Sequence, residues 1–116
     1  MTGKTRDLGW QVGARRTFPL EVAETWNLMC SKPWLQRWSG LAALELDDPA
    51  VRSLTIGRLA RVHTPHSLVQ LRVLPSACGT TVAFHEEHLP DEPNRIQRKD
   101  HWTYLLDDFG AALPAT

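Results

Sequence analysis

The chain has few cysteines, no excess of either charge and no long apolar run. Its two cysteines, Cys30 and Cys78, share no motif spacing. With no secretion signal ahead of them, they read as reduced thiols in a cytosol rather than as a disulfide. Thirteen Lys and Arg balance thirteen Asp and Glu, which gives zero formal charge. That removes a general electrostatic pull toward nucleic acid or an anionic membrane, so neither is expected as a partner. No stretch approaches the roughly 20 apolar residues of a membrane span. The opening MTGKTRDLGWQVG has no apolar run of signal-peptide length. A cytoplasmic location without membrane insertion is the expectation. Linkers, repeats and low-complexity segments are also missing, so residues 1–116 are expected to form one domain around one core.

What is present is an ordinary globular balance, 42% hydrophobic and 22% charged. A chain of this length should bury roughly two-thirds of its unfolded surface, enough for a core without staples. Five tryptophans are many for 116 residues. Each can bury a large area, so the core or a pocket is expected to be aromatic-rich.

Hydrophobic periodicity orders the elements. Residues 10–18 alternate, with Trp10, Val12 and Ala14 on one parity, and read as a strand. Pro19 suits the first turn of a short helix over about 19–30, where Glu21 and Glu24 meet the positive end of the dipole. Val22, Trp26 and Met29 form its apolar stripe. Ser31 can cap a second short helix holding Pro33, Trp34, Leu35 and Trp38, and Gly40 ends it. LAALEL (41–46) fits a strand or a helical turn, and DDPA (47–50) is a turn. Residues 51–62 read as one strand, broken in pattern by Gly57 and three arginines. Val69, Leu71 and Val73 share one face of a strand over 67–74, and 80–89 is another strand, which makes an antiparallel meander. Asp91 or Glu92 caps a final helix over about 93–112 with Pro93 in its first turn. Trp102, Leu105, Leu106, Phe109 and Leu113 form its stripe, and it should be about 30 Å long.

FHEEHLP (84–90) carries the densest chemistry, two histidines three apart around two carboxylates; HTPH (63–66) repeats the spacing. A zinc-protease pair needs His at i and i+4 on a helix. On a strand, His85 and His88 point to opposite faces, with Cα atoms about 10 Å apart. His63 and His66 flank a proline turn, but nothing fixes a third ligand. No metal and no cofactor are expected. If Val82 and Phe84 face the final helix, Glu86 does too, and His88 follows by parity; His85 and Glu87 face away. A carboxylate on the covered face is costly unless paired, and Arg58, Arg61 or His101 are candidate partners. Glu86 then sits in water at the open end of the fold, orients a bound ligand, or acts as a general base.

Taken in order, these residues resemble a known family. Phe18-Pro19 leads into Trp26. Arg37-Trp38-Ser39-Gly40 closes the second helix. Gly79-Thr80 precedes Val82 and Phe84. Trp102 through Leu105, Phe109 and Leu113 fill the last helix. The set is similar to the START-like, helix-grip superfamily, also called SRPBCC, and within it to the branch named for activators of the heat-shock-protein ATPase. The resemblance implies an α+β fold. Two short helices follow the first strand, and a curved antiparallel sheet of about five strands grips the long C-terminal helix around a cavity. Members bind apolar molecules, some catalyse cyclisation or dehydration, and some act on a chaperone. Here His101 stands where the family usually has Gly, His88 where the last strand often ends in Gly, and Ser39 where another bulky residue often follows the Trp. Only 38 residues, 41–78, separate Gly40 from Gly79. That leaves room for a shortened sheet with an uncovered edge, a surface for a homodimer.

The implied function is non-enzymatic binding of a small apolar or lipid-like molecule between the sheet and the last helix. The candidate ligand-binding residues are Trp34, Trp38, Val69, Leu71, Phe84, Glu86, Trp102 and Leu105, with Tyr104 as the alternative to Leu105. Trp34 and Trp38 divide between core filling and ligand contact, and Trp26 and Trp102 read as core. The alternatives are an interaction module, by self-association or on a chaperone, and a cyclase- or hydrolase-like enzyme using Glu86 with His88 or His101. Arg58, Arg61 and Arg72 suggest a basic strip on the sheet's outer side, and Arg95, Arg98 and Lys99 a solvated helix face.

Overall fold

The computed structural model describes residues 4–5, 9–42 and 44–113. The chain runs β1 (Lys4–Thr5), β2 (Gly9–Phe18), α1 (Val22–Met29), α2 (Lys32–Ser39), β3 (Val51–Thr55), β4 (Leu59–His63), β5 (Leu68–Ser76), β6 (Gly79–Leu89) and α3 (Glu92–Ala112). One antiparallel sheet has the order β1-β2-β6-β5-β4-β3. β1 is a two-residue addition, so five longer strands make the sheet, as expected. β3 to β6 form the meander. The two short helices carry the chain from β2 to the far edge.

Several boundaries differ from the sequence reading. Pro19 stays outside α1, whose first turn begins at Val22. Ser31 occupies the N-cap position of α2, but its hydroxyl donates back to the Leu28 carbonyl instead of capping (2.5 Å). Of LAALEL, residues 41–42 and 44–46 form neither helix nor strand, and position 43 lies outside the described residues. The single strand expected over 51–62 is a hairpin, β3 and β4, folded at residues 56–58. Gly57 and the polar residues around it break the pattern because the chain reverses there.

Two glycines explain local closures. Gly40 takes the left-handed conformation (φ +72°) that ends α2 and donates to the Gln36 carbonyl. Gly79 starts β6 at φ +141°, where a Cβ would lie 2.1 Å from the Phe18 carbonyl oxygen.

α3 lies across the sheet and buries Trp102, Leu105, Leu106 and Phe109, the expected stripe. Asp91 caps it, accepting from the Asn94 amide at 2.9 Å. The grip is filled by rings. Phe84 stacks on Trp102 with centroids 4.5 Å apart, and Trp38 leans on Phe84 at 5.9 Å. Phe109 meets Phe18 and Trp34 edge-on at 5.0 Å each. The Trp38 indole N–H is satisfied by the Met29 carbonyl at 2.8 Å.

The polar first half of α3 is not simply solvated. Arg95 donates to the Gln11 carbonyl at 2.8 Å and Lys99 to the Gly13 carbonyl at 2.5 Å. Both carbonyls lie on β2, beyond the short pairing with β1. Side-chain cations thus donate to main-chain acceptors of β2 that lie beyond the described residues of β1.

Candidate functional site

Where β6 runs out toward α3, its register with β2 slips. Trp10 faces Leu89 and Val12 faces Glu86, so Glu87 and His88 together oppose Gln11. This is a β-bulge, and His88 adopts φ +66°, the only positive value on a non-glycine among the described residues. Strict alternation would have turned His88 toward α3; the bulge leaves it exposed at the sheet end and returns Leu89 to the buried side.

Beside this bulge opens a cleft of about 700 Å³, within the range of small-molecule sites. Its walls come from the end of α2 (Ser39 to Leu41), the β4–β5 turn (Thr64 to Ser67), the bulge, and the first turns of α3 (Asn94, Gln97, Arg98). The turn is pinned by Thr64, whose hydroxyl accepts from the amides of His66 and Ser67 at 3.2 and 2.9 Å. Leu41, Pro65, Leu89 and Pro90 supply apolar lining.

Glu86 forms the floor and is only 3% exposed. One oxygen accepts from the Arg98 Nε at 2.7 Å and the Trp102 indole N–H at 3.0 Å; the other accepts from the Ser67 hydroxyl. The buried carboxylate is therefore paired and hydrogen-bonded at both oxygens. Of the partners expected for it, Arg61 pairs instead with Glu87 (3.6 Å), Arg58 lies in the β3–β4 turn, and His101 makes no hydrogen bond to it. Arg98 also lies over the Trp102 ring, 5.3 Å from its centroid. Held by Nε and by the ring, Arg98 keeps its two terminal NH2 groups without an acceptor among the described residues.

Trp38, Val69, Leu71, Phe84, Trp102 and Leu105 are all buried in the packed core beside this floor. Trp34 is half-buried, between Phe109 and the Arg37 guanidinium. Of the eight candidate ligand residues, only Glu86 lines the cleft. Tyr104 points to solvent. Sequence reasoning missed Arg98, although a usable signal was present. Arg98 and Trp102 are four apart on α3, which places them on one face. Ser67, Asn94 and Gln97 gave no signal, because only the register and the helix approach bring them together.

His101 has a buried Nε2 without a partner and packs edge-on against Trp102. Burial lowers its pKa below the usual 6.5; Arg98 and Arg37 push the same way, while Glu86 opposes them. Burial pushes the Cys30 thiol up to about 12, which removes it as a nucleophile. Among the described residues, no group of His, Cys, Asp and Glu is placed to hold a metal. Among the described residues, no helix is long and apolar enough to cross a membrane.

No protein-family model matches the chain, and no curated protein matches its sequence. Solved structures do match in shape. A protein from Staphylococcus saprophyticus has a TM-score of 0.71 at 11% identity, over 86% of this chain and 88% of its own. An AHSA1-like protein from Rhizobium etli reaches 0.64 at 16%, over 90% and 83%. CalU16 from Micromonospora echinospora reaches 0.67 at 19%, over 92% and 77%. At such identities the likeness is one of fold alone: the chain shares its α+β helix-grip architecture with these structures.

Proposed function

We propose that this protein binds, without catalysis, a small lipid-like molecule with an apolar body and an acidic or acceptor-rich head, in the cleft between the sheet end and the first turns of α3. The carrying observation is Arg98. Its Nε is held by buried Glu86, and it lines a cleft in which the only carboxylate among the described residues is already hydrogen-bonded at both oxygens. Guanidinium in that state takes a carboxylate in two parallel hydrogen bonds. Leu41, Pro65, Leu89 and Pro90 offer the apolar body a surface. The groove expected from sequence between the sheet and the final helix moves in this reading to the mouth of the grip, because rings occupy the interior. The same saturation argues against Glu86 as a general base.

The test is native mass spectrometry of gently purified protein, followed by displacement of an apolar fluorescent anion by C8–C12 fatty acids and the matching alcohols. Arg98→Gln should weaken the acids by about tenfold, 1.4 kcal/mol, and leave the alcohols nearly unchanged. Failure of every acid and alcohol to displace the probe at millimolar concentration, with no retained molecule, would sink the reading.

A second reading is self-association through β3. It is favoured by the contrast between the two sheet edges: α3 cations cover carbonyls of β2, whereas β3 ends the sheet with its Leu54, and Ile56 of the following turn, exposed. Placement in the heat-shock ATPase-activator branch belongs to this reading, supported by the AHSA1-like neighbour. In either reading the chain acts as one cytoplasmic domain, in keeping with the free thiols of Cys30 and Cys78.

A further inference from the structure

The outer face of the sheet, away from α3, has its own concavity of about 560 Å³. Two cross-strand rows build it. In one, Ala83 of β6 lies between Arg15 of β2 and Arg72 of β5; in the next, His85 lies between Gly13 and Gln70. Ala83 and Gly13 are the smallest residues available, so the floor is low and the arginines stand up as walls. Their Cα atoms are two strand spacings apart, about 10 Å, a span that two long side chains can close over Ala83. Lys99 reaches the same groove from α3 around the edge of β2.

Arginines without a carboxylate partner among the described residues occur elsewhere too, at Arg52, Arg58 and Arg95, but two of them, Arg15 and Arg72, line this one groove. Arg16, Arg37, Arg61 and Arg98 each have a carboxylate partner, Asp107, Asp108, Glu87 and Glu86. Arg15 and Arg72 have none among the described residues, and no carboxylate lines the groove. The nearest acid along β6, Glu87, is buried and turned toward Arg61 and His85 at 3.6 and 3.5 Å. In a chain of zero formal charge, two guanidiniums on opposite sides of one alanine, with a lysine beside them and no carboxylate partner among the described residues, are a local concentration of positive charge. Like charges facing each other across a sheet are unfavourable unless something neutralises them.

We propose that this groove is a second binding site, separate from the cleft, for a small multiply charged oxyanion carrying phosphoryl oxygens, bridged by Arg15 and Arg72 over Ala83. Two guanidiniums offer forked donors that match phosphoryl oxygens. The low floor lets the anion sit between them rather than on top of them.

The probe is inorganic pyrophosphate, titrated into the full chain at about 0.15 M salt, a level that screens exposed charges beyond about 8 Å, and followed by amide NMR shifts. Shifts should centre on Ala83, His85 and Arg72. Arg15→Gln and Arg72→Gln should each weaken binding about tenfold. Ala83→Leu, which fills the floor and keeps every charge, should weaken it at least as much. Arg52→Gln, on the far edge strand, should change nothing. Equal losses in Arg52→Gln and Arg15→Gln, or full binding in Ala83→Leu, would overturn the site as diffuse charge attraction. A parallel arm uses phosphatidylcholine vesicles with phosphatidic acid. Flotation with those vesicles without pyrophosphate binding would also overturn it, assigning the face to a membrane surface.

Discussion

Val82 and Phe84 face α3, and strand alternation carries Glu86 to the same side. That much of the site was legible, because a period of two needs no knowledge of neighbours. The rule stops at His88, where one extra residue in β6 breaks the alternation; no local composition marks such a bulge, since it is set by the pairing of two strands far apart in sequence. Glu86's partners divide in the same way. Trp102 and Arg98 share a helix face and could be paired from spacing, whereas Ser67 arrives only through a strand register. His101 gives a prediction at this scale. Its neutral form is favoured in the folded state, mainly by burial and secondarily by Arg98 and Arg37. Above its ordinary pKa of 6.5 both folded and unfolded chains hold it neutral, and its contribution to stability is complete. As pH falls below that value the unfolded chain takes up the proton first, so stability drops until the lowered folded pKa is passed. His101→Leu should therefore lose less stability than wild type between pH 7.5 and 5, measured by urea midpoints. Parallel slopes for the two proteins would contradict this.

Among the elements, the strand–helix–helix–meander–helix order came through because each long element has a clean period. The stripe of α3 from Trp102 to Phe109 and the alternation of β5 are examples. The β3–β4 hairpin did not, because Leu54 and Ile56 keep an apolar alternation running up to Gly57. The first half of α3 was misjudged for a related reason. Arg95, Arg98 and Lys99 look like a solvent face, but they bond to Gln11, Glu86 and Gly13 across the sheet. Long cationic side chains can span that distance, so polarity alone does not say where they end. The hairpin joining β5 to β6 carries the prediction at this scale. A side chain at Gly79 would combine an unfavourable φ with a collision against the Phe18 carbonyl. Gly79→Ala should cost roughly 2–4 kcal/mol in chemical denaturation. A loss below about 0.5 kcal/mol, the size of an ordinary surface change, would show that β2 and β6 can part without cost.

For the whole molecule, the sheet divides the protein into two unlike surfaces and two unlike edges. The α3 side is packed with aromatic rings and opens into a cleft at the bulge; the outer side is polar and holds Arg15 and Arg72. One edge is finished, with β1 and the cations of α3 meeting the main chain of β2. The other edge, β3, has only five residues, and its Leu54 and the following Ile56 are 39% and 69% exposed. The segment between Gly40 and Gly79 supplies β3, β4 and β5, and among the described residues no further strand pairs with this edge. An open antiparallel edge is completed most simply by the same edge of a second copy, related by a two-fold axis. Light scattering at about 100 µM should then give twice the chain mass of 13.1 kDa. Leu54→Lys should return the protein to the monomer by placing like charges near each other across the new pairing. Arg98→Gln should leave the dimer intact, because the cleft lies away from this edge. A monomer mass for the wild type at that concentration would mean that β3 is protected well enough by its shortness and by Arg52, and the self-association reading would fall while the cleft reading stood.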